Sequence, residues 1–304
     1  MAPPHLQKTD SAFSIAYVLT TRGQDLYAEM AFTSALSVRL SNSTARVLLL
    51  CDERSAKNLH ARKHPLLEQV DDCIPVETPQ GDPTFQNRWI KTQAYSHVKT
   101  PCLLLDADTL VRGSLSELPK LVRELGVVAN HNRRDVREQI YPEDAGELQK
   151  LGWPRPQQFC LYANGGFLFF QRVSAVKQWF EDWHKLWLEG WTKTGRQRDQ
   201  PALNTSLQRS RVRVTELPDR YNFQINMAEG GAGDALIWHF YSSSPIRGRL
   251  YHELLKKSVR LKITRFRSLL LAALQASDPG RSLWSVVLAG YLASWWPFGP
   301  RRVA

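Results

Sequence analysis

This 304-residue chain predicts an α/β fold, a mostly parallel, doubly wound sheet flanked by helices. Three observations carry that reading. Apolar runs of strand length alternate with segments of helical period. The runs are near-continuous in Val, Ile and Leu, as strands covered on both faces are. One of them, Leu103-Leu104-Leu105, stops abruptly at Asp106-Ala107-Asp108, and open α/β sheets bind ligands beyond the carboxyl ends of their strands.

The elements follow in order. Residues 13–21 read as the first strand. Residues 25–40 read as a helix, with Leu26, Met30, Thr33, Leu36 or Ser37 and Leu40 near one stripe and Asp25 as N-cap. Residues 45–51 form a second strand, 55–67 a helix ending near Pro65, and 73–77 a short strand. Residues 89–98 read as a helix that Pro101 separates from the Asp106 strand. After 126–130 comes a polar, charged stretch, 131–158, without a clear period, which reads as an insertion or lid. A strand that begins after Asn164-Gly165-Gly166 ends in Leu168-Phe169-Phe170. Residues 174–190 form a helix whose Val176, Phe180, Trp183 and Trp187 make an aromatic stripe, read as core packing and not a ligand platform. Residues 200–208 form a helix with Pro201 in its first turn and Asp199 as N-cap. The run 235–239 is strand-like and ends in His239.

Composition narrows the class. Hydrophobic residues make up 43% and charged residues 23%, ordinary for a globular protein. The four cysteines, Cys51, Cys73, Cys102 and Cys160, are widely spaced and form no C-x-x-C pair. Cys51 and Cys102 sit at the ends of apolar runs as buried free thiols, which fits a reducing compartment. The first residues carry no signal-peptide pattern, and no run reaches the ~18 apolar residues of a spanning helix.

The net charge of +11 is unevenly spread. Residues 246–304 hold eleven Lys and Arg against two acids, a charge of +9, leaving +2 for residues 1–245. The division expected is therefore a catalytic domain over 1–245 and a basic helical tail over 246–304. In the tail, Leu255, Val259, Ile263, Phe266, Leu270 and Leu274 fall at helical spacing. A second apolar stretch, 283–296, ends in Trp295-Trp296. Basic amphipathic helices and interfacial Trp suit in-plane binding to an anionic membrane on its cytoplasmic face. Packing on the domain or a homodimer contact is the alternative use. Nucleic acid is disfavoured, because the basic residues alternate with aliphatics and not with stacking aromatics.

The chemistry centres on Asp106 and Asp108. Side chains at i and i+2 of an extended segment point the same way. Two carboxylates then converge on one hard divalent cation, the kind that carries substrate phosphates. The same tripeptide also caps turns, but the apolar run before it leaves little room for a solvated turn.

Several short elements recur in an order that resembles the glycogenin-like glycosyltransferases of family eight, retaining enzymes of the GT-A nucleotide-sugar transferase fold. They are Tyr17-Val-Leu-Thr-Thr21 with Tyr27, Lys91, Asp106-Ala-Asp108, Asn164-Gly165-Gly166, Asp199-Gln200, Tyr221-Asn222 and His239-Phe240. The resemblance spans roughly residues 13–241. It implies a hexose moved from a UDP-sugar to a glycan, lipid-linked or protein acceptor. It adds His239 to Asp106 and Asp108 as metal ligands, and an imidazole beside two carboxylates tilts the choice from Mg²⁺ toward Mn²⁺. It places Gln200 near the anomeric carbon and Asp199 on sugar or acceptor hydroxyls. A neutral amide is a poor nucleophile, so Gln200 is read as a positioning group. Donor contacts are expected from Thr20, Thr21, Tyr27, Arg88, Lys91, Ala107, Asn164, Gly165 and Gly166 as well. Read alone, Tyr27 is a core residue, Asn164-Gly165-Gly166 fits a plain turn nearly as well as a sugar contact, and Arg88 and Lys91 fit a solvated helix face as well as a donor contact.

One departure stands out. The family's His-Phe is usually followed by Gly-x-x-Lys-Pro, whose lysine grips the diphosphate. Here the chain reads His239-Phe-Tyr-Ser-Ser-Ser-Pro245-Ile-Arg247, and Arg247 or Arg249 is the candidate replacement. Two other classes compete. A decayed nucleotide-sugar-binding scaffold with a membrane tail fits the missing lysine. A haloacid-dehalogenase-like phosphohydrolase also runs an apolar strand into D-x-D, but it places that strand near the start of its core and needs a later lysine and a second acidic pair. About a hundred residues precede Asp106, and Gly233-Asp234 is followed by Ala-Leu-Ile.

Overall fold

The structure is a computed structural model that describes residues 12–23, 25–131, 139–156, 161–224 and 234–240. The tail, 246–304, including Arg247 and Arg249, lies outside the described residues, as does most of the first half of the stretch 131–158.

Strand β1 (Ser14–Leu19) pairs in parallel with β2 (Arg46–Asp52) on one side and β4 (Cys102–Leu105) on the other. Strand β3 (Asp72–Val76) continues the parallel set beyond β2. On the far side, β7 (Ala163–Phe170) runs antiparallel between β4 and β6 (Leu125–Ala129), and β8 (Val214–Leu217) closes the edge parallel to β6. The order is β3-β2-β1-β4-β7-β6-β8. The chain winds from β1 out to β3, then returns to β4 on the other side of β1. The β1/β4 boundary is thus a switch point, where such sheets open a crevice. A smaller sheet of β5 (Thr109–Val111), β10 (Ile237–His239) and β9 (Phe223–Gln224) lies alongside.

Period-two alternation divides the core. Ile15, Tyr17 and Leu19 of β1, with Leu103 and Leu105 of β4, join one cluster; Ala16, Cys102 and Leu104 join the other. Helices α1 (Leu26–Ser41) and α2 (Glu53–Ala61) cover the first face. The second is covered by α3 (Pro83–Thr92), α4 (Ala94–His97), α6 (Pro142–Leu151), α7 (Ser174–Thr194) and α8 (Gln200–Arg209), while a single turn, α5 (Leu118–Leu121), precedes β6. The aromatic stripe of α7 is core: Trp179, Trp183 and Trp187 are buried, with Trp179 and Trp183 stacked at 5.4 Å. Truncating one of them to Ala would cost about 3–5 kcal/mol.

Over the described residues the expected elements are present, with differences that have physical causes. Asp25 caps α1 by accepting from the Ala28 N–H. That helix is buried on more than a stripe, because it lies between the large sheet and β5; Leu40, expected on the stripe, is 59% exposed. The helix expected over 55–67 breaks after Ala61, where Lys63 takes positive φ and Pro65 opens a 3₁₀ turn. The helix expected from 89 starts at Pro83, capped by Asp82, whose carboxylate accepts from the Thr84 and Phe85 amides. Asn164-Gly165-Gly166 is no turn; it belongs to the fully buried strand β7. The stretch 131–158 contains α6, whose C-terminus is closed by Gly152 in the left-handed region. Cys51, Cys73 and Cys102 are free thiols. Among the described residues, no helix is long and apolar enough to cross a membrane.

Candidate active site

Strand β4 ends between β1 and β7, and its next residue is Asp106. The backbone there is held from three sides. The Asp106 N–H donates to the Gly166 carbonyl at 3.0 Å. Its own carbonyl accepts from the Thr109 hydroxyl at 2.8 Å. The Asp108 carbonyl accepts from the Phe240 N–H at 2.8 Å. Thr109 is itself fixed by a buried row of hydroxyls, Thr109 to Ser34 at 2.9 Å and Ser34 to Tyr17 at 2.8 Å.

The antiparallel pairing of β10 with β5 sets His239 opposite Thr109. That register delivers the imidazole to the D-x-D carboxylates from more than a hundred residues away. His239 Nε2 lies 3.2 Å from Asp108 Oδ1. One ligand atom from each of Asp106, Asp108 and His239 lies within 4.8 Å of the others. A cation with bonds of about 2.1 Å joins such a set after small side-chain rotations. The donor set fits: two hard carboxylates and one imidazole.

A second cluster adjoins the first. Lys91 Nζ donates to Asp106 Oδ1 at 2.8 Å and lies 3.4 Å from Asp199 Oδ2. Arg88 Nε pairs with Asp199 Oδ1 at 3.1 Å. Burial alone would raise the Asp106 carboxyl, but Lys91, His239 and Arg88 hold it below the ordinary carboxylate range. Burial would likewise lower Arg88, and Asp199, Asp106 and Asp108 reverse that and push it up. Three carboxylates face two fixed cations here, so one negative charge is left over for a metal.

Arg88, Asp106 and Asp108 border a cleft of about 350 Å³, lined also by Thr20, Tyr27 and Asn87 among others. That volume is at the small end of ligand pockets. It opens at the β1/β4 switch point. Tyr27 is 56% exposed at the cleft and is not a core residue. Ala107 lines the cleft with its neighbours. Thr20, mostly buried in the cleft wall, donates to the Pro83 carbonyl at 2.7 Å. Thr21 is also buried, and its N–H donates to Ser55 Oγ at 2.7 Å. Lys91 is buried between its two carboxylates, with no solvated face.

On β7, Gly165 faces Lys91, Asp199 and Leu203; a Cβ there would lie 3.7 Å from each. Gly166 faces His239, and a Cβ would collide with its Cε1. The glycine is required because the imidazole fills the space. Asp199 does not cap α8; it turns its carboxylate toward Arg88 and Lys91 instead. Gln200 spans Gly165 N–H, at 3.4 Å, and Asp144 Oδ2, at 3.5 Å.

Some participants carry no obvious sequence signal. Asp144 on α6 is buried against Arg198, at 2.8 Å, and Tyr162, at 3.1 Å; burial raises its carboxyl despite Arg198. Asn222 bonds His239 and Asn164, and Asn130 bonds Asn164. Asn222 belongs to the ordered set of motifs, but its partners lie across the fold.

This architecture is the GT-A fold of glycosyltransferases. Galactosyltransferase LgtC, solved with donor and acceptor sugar analogs, superimposes with a TM-score of 0.53 at 19% identity, over 84% of this chain and 99% of that one. The bifunctional glycosyltransferase WbbM superimposes at 0.51 and 16% identity over 88% of this chain, which spans 52% of WbbM. No protein-family model matches the chain. No curated protein matches it in sequence.

Proposed function

We propose that this chain is a metal-dependent retaining glycosyltransferase that moves a hexose from a UDP-sugar to a glycan, lipid-linked or protein acceptor. The observation that carries the reading is the convergence of Asp106, Asp108 and His239, with both carboxylates lining the switch-point cleft. The likeness of fold to LgtC, solved with donor and acceptor sugar analogs, supports it. A divalent cation held by the three residues would neutralise the diphosphate as the sugar leaves. The imidazole favours Mn²⁺ over Mg²⁺.

The chain's own groups divide the remaining work. Tyr27, exposed at the cleft, is placed to stack on the base. Lys91 and Arg88 hold the Asp106 carboxyl below its ordinary range and fix Asp199 in place. Asp199 then meets sugar or acceptor hydroxyls, and Gln200, steadied by Gly165 and Asp144, positions the sugar. Arg247 or Arg249 takes the part of the family's lysine on the diphosphate. Residues 246–304 attach the enzyme to an anionic membrane from the cytoplasm, where a lipid-linked acceptor would lie.

The test is UDP release from a panel of UDP-sugars with added Mn²⁺. Release from one donor supports the reading. UDP-sugar binding without release would support a scaffold with a decayed site, the reading that the missing lysine after His239 favours.

A further inference from the structure

Four buried side chains form one hydrogen-bonded row leading away from His239. Its Nδ1 meets Asn222 Oδ1 at 2.9 Å. Asn222 Nδ2 donates to Asn164 Oδ1 at 3.0 Å. Asn164 Nδ2 donates to Asn130 Oδ1 at 3.1 Å. Asn130 Nδ2 donates to the Gln139 backbone carbonyl. None of the four residues is more than 3% exposed.

An amide's oxygen and nitrogen are nearly the same shape, so the direction of such a row must come from groups whose role is fixed. Two backbone groups supply it. The Gly166 N–H, which can only donate, points at Asn164 Oδ1 at 2.9 Å. The Gln139 carbonyl, which can only accept, receives Asn130 Nδ2. Both demand the same direction. Turning any one amide over would face donor to donor or acceptor to acceptor in a buried site, which costs about 1–3 kcal/mol per unmade bond. Asn222 therefore presents an oxygen to His239, and His239 Nδ1 carries a hydrogen.

We propose that Asn222 is the positioning residue for His239: it fixes the Nδ1–H form of the imidazole, so that the bare Nε2 faces Asp108 and a cation between them. Its effect on cation affinity rests on the metal reading of Asp106, Asp108 and His239; the choice of tautomer does not. His239 Nε2 lies 3.2 Å from Asp108 Oδ1, so the ring nitrogen not facing Asn222 is the one turned to the carboxylates. Metal-bound histidines generally donate their other N–H to an acceptor that fixes the ring, and losing that acceptor weakens metal binding by about 10–100-fold. The Gly166 backbone holds the ring from the side, since any Cβ there would strike it.

The test uses the full chain, stripped of metal and labelled with ¹⁵N-histidine. A long-range proton–nitrogen spectrum, followed with rising pH until the ring signals stop moving, reads the tautomer; His239→Gln identifies the signal. We expect Nδ1–H. An Nε2–H signal in the unsubstituted protein would overturn the proposal without any variant needing to fold. Mn²⁺ binding, followed by the electron-spin signal of free Mn²⁺, gives the second readout. Asn222→Ala should weaken binding about 10–100-fold. Asn222→Asp keeps the oxygen facing His239 but sets its other oxygen against Asn164 Oδ1, so its affinity should fall between those of Asn222→Ala and the unsubstituted protein. Equal affinity in Asn222→Ala, or equal weakness in Asn222→Asp and Asn222→Ala, would count against Asn222. If the unsubstituted protein binds no Mn²⁺, the metal reading fails, and the tautomer still judges Asn222.

Discussion

On the α3 side of Asp106 the carboxylates meet permanent cations; on the β10 side Asp108 meets an imidazole. Lys91 and Arg88 bracket Asp199 and reach Asp106 through contacts of 2.8–3.4 Å. His239 is held instead by a row of neutral amides. The first side sets two carboxylates against two cations, and Asp106 is shared with the second. On the proposed reading a divalent ion would be held by Asp106, Asp108 and His239, while Lys91 and Arg88 hold Asp199 with or without metal.

The largest effect should come from the two carboxylates of the proposed metal site. Asp106→Asn or Asp108→Asn removes a hard anionic ligand. Each should lower transfer by on the order of a thousandfold or more, with the far-UV circular dichroism unchanged. Measurable turnover at the unsubstituted rate in Asp108→Asn would erase the distinction between the two sides.

Lys91→Met breaks the other side and should act on stability as well as activity. It leaves Asp106 and Asp199 facing each other without the buried ammonium. The loss should be on the order of 2–3 kcal/mol, below the cost of breaking a fully buried pair because Asp106 is a third exposed. Urea unfolding measures it. Asp108→Asn should show little of this loss, and if the two variants unfold alike the contrast is wrong.

Gly166→Ala sharpens the comparison from the imidazole side. The added methyl displaces His239 and crowds Asn164 Oδ1 at 2.9 Å. Mn²⁺ affinity should fall about tenfold or more. Gly165→Ala, with only ordinary 3.7 Å contacts, should leave it nearly unchanged. Both are read in one Mn²⁺ titration.

Gln200→Ala should have a smaller effect, since its amide makes only long bonds of 3.4 and 3.5 Å. Turnover should drop while donor affinity stays within a few-fold. A glycosyl group trapped covalently on Gln200 or Asp199 would overturn the positioning role. The smallest effect on the site itself should follow removal of residues 281–304. It should weaken salt-sensitive binding to anionic vesicles, screened over ~8 Å at physiological salt, and leave Mn²⁺ affinity intact. Vesicle binding as tight as that of the full chain would exclude this segment as an anchor.

The legible parts of the molecule were those with a local physical signature. An apolar run cannot end in two carboxylates without a use for them, so Asp106 and Asp108 were readable as a site before any neighbour was known. The Trp stripe of α7 was readable as core from its spacing. Asp82 and Pro83 carried a cap-and-first-turn signal that the apolar spacing after Trp89 obscured, so α3 begins earlier than its stripe. Asn164-Gly165-Gly166 looked like a turn because nothing nearby says what fills the space over two glycines; Lys91, Asp199 and His239 fill it, from other parts of the chain. The pairing of Lys91 with Asp106 and Asp199 was hidden for the same reason, as was the place of Asn222 and Asn130. A hydrogen-bonded row across β6, β7 and the start of β9 leaves no trace in spacing.

The central claim is that Asp106, Asp108 and His239 hold a cation on which sugar transfer depends. It is tested most directly by UDP release from UDP-hexoses by protein stripped of metal, with and without Mn²⁺ restored. The account predicts negligible release from the stripped protein and recovery on adding Mn²⁺. Full release from the stripped protein, unchanged by Mn²⁺, would contradict it.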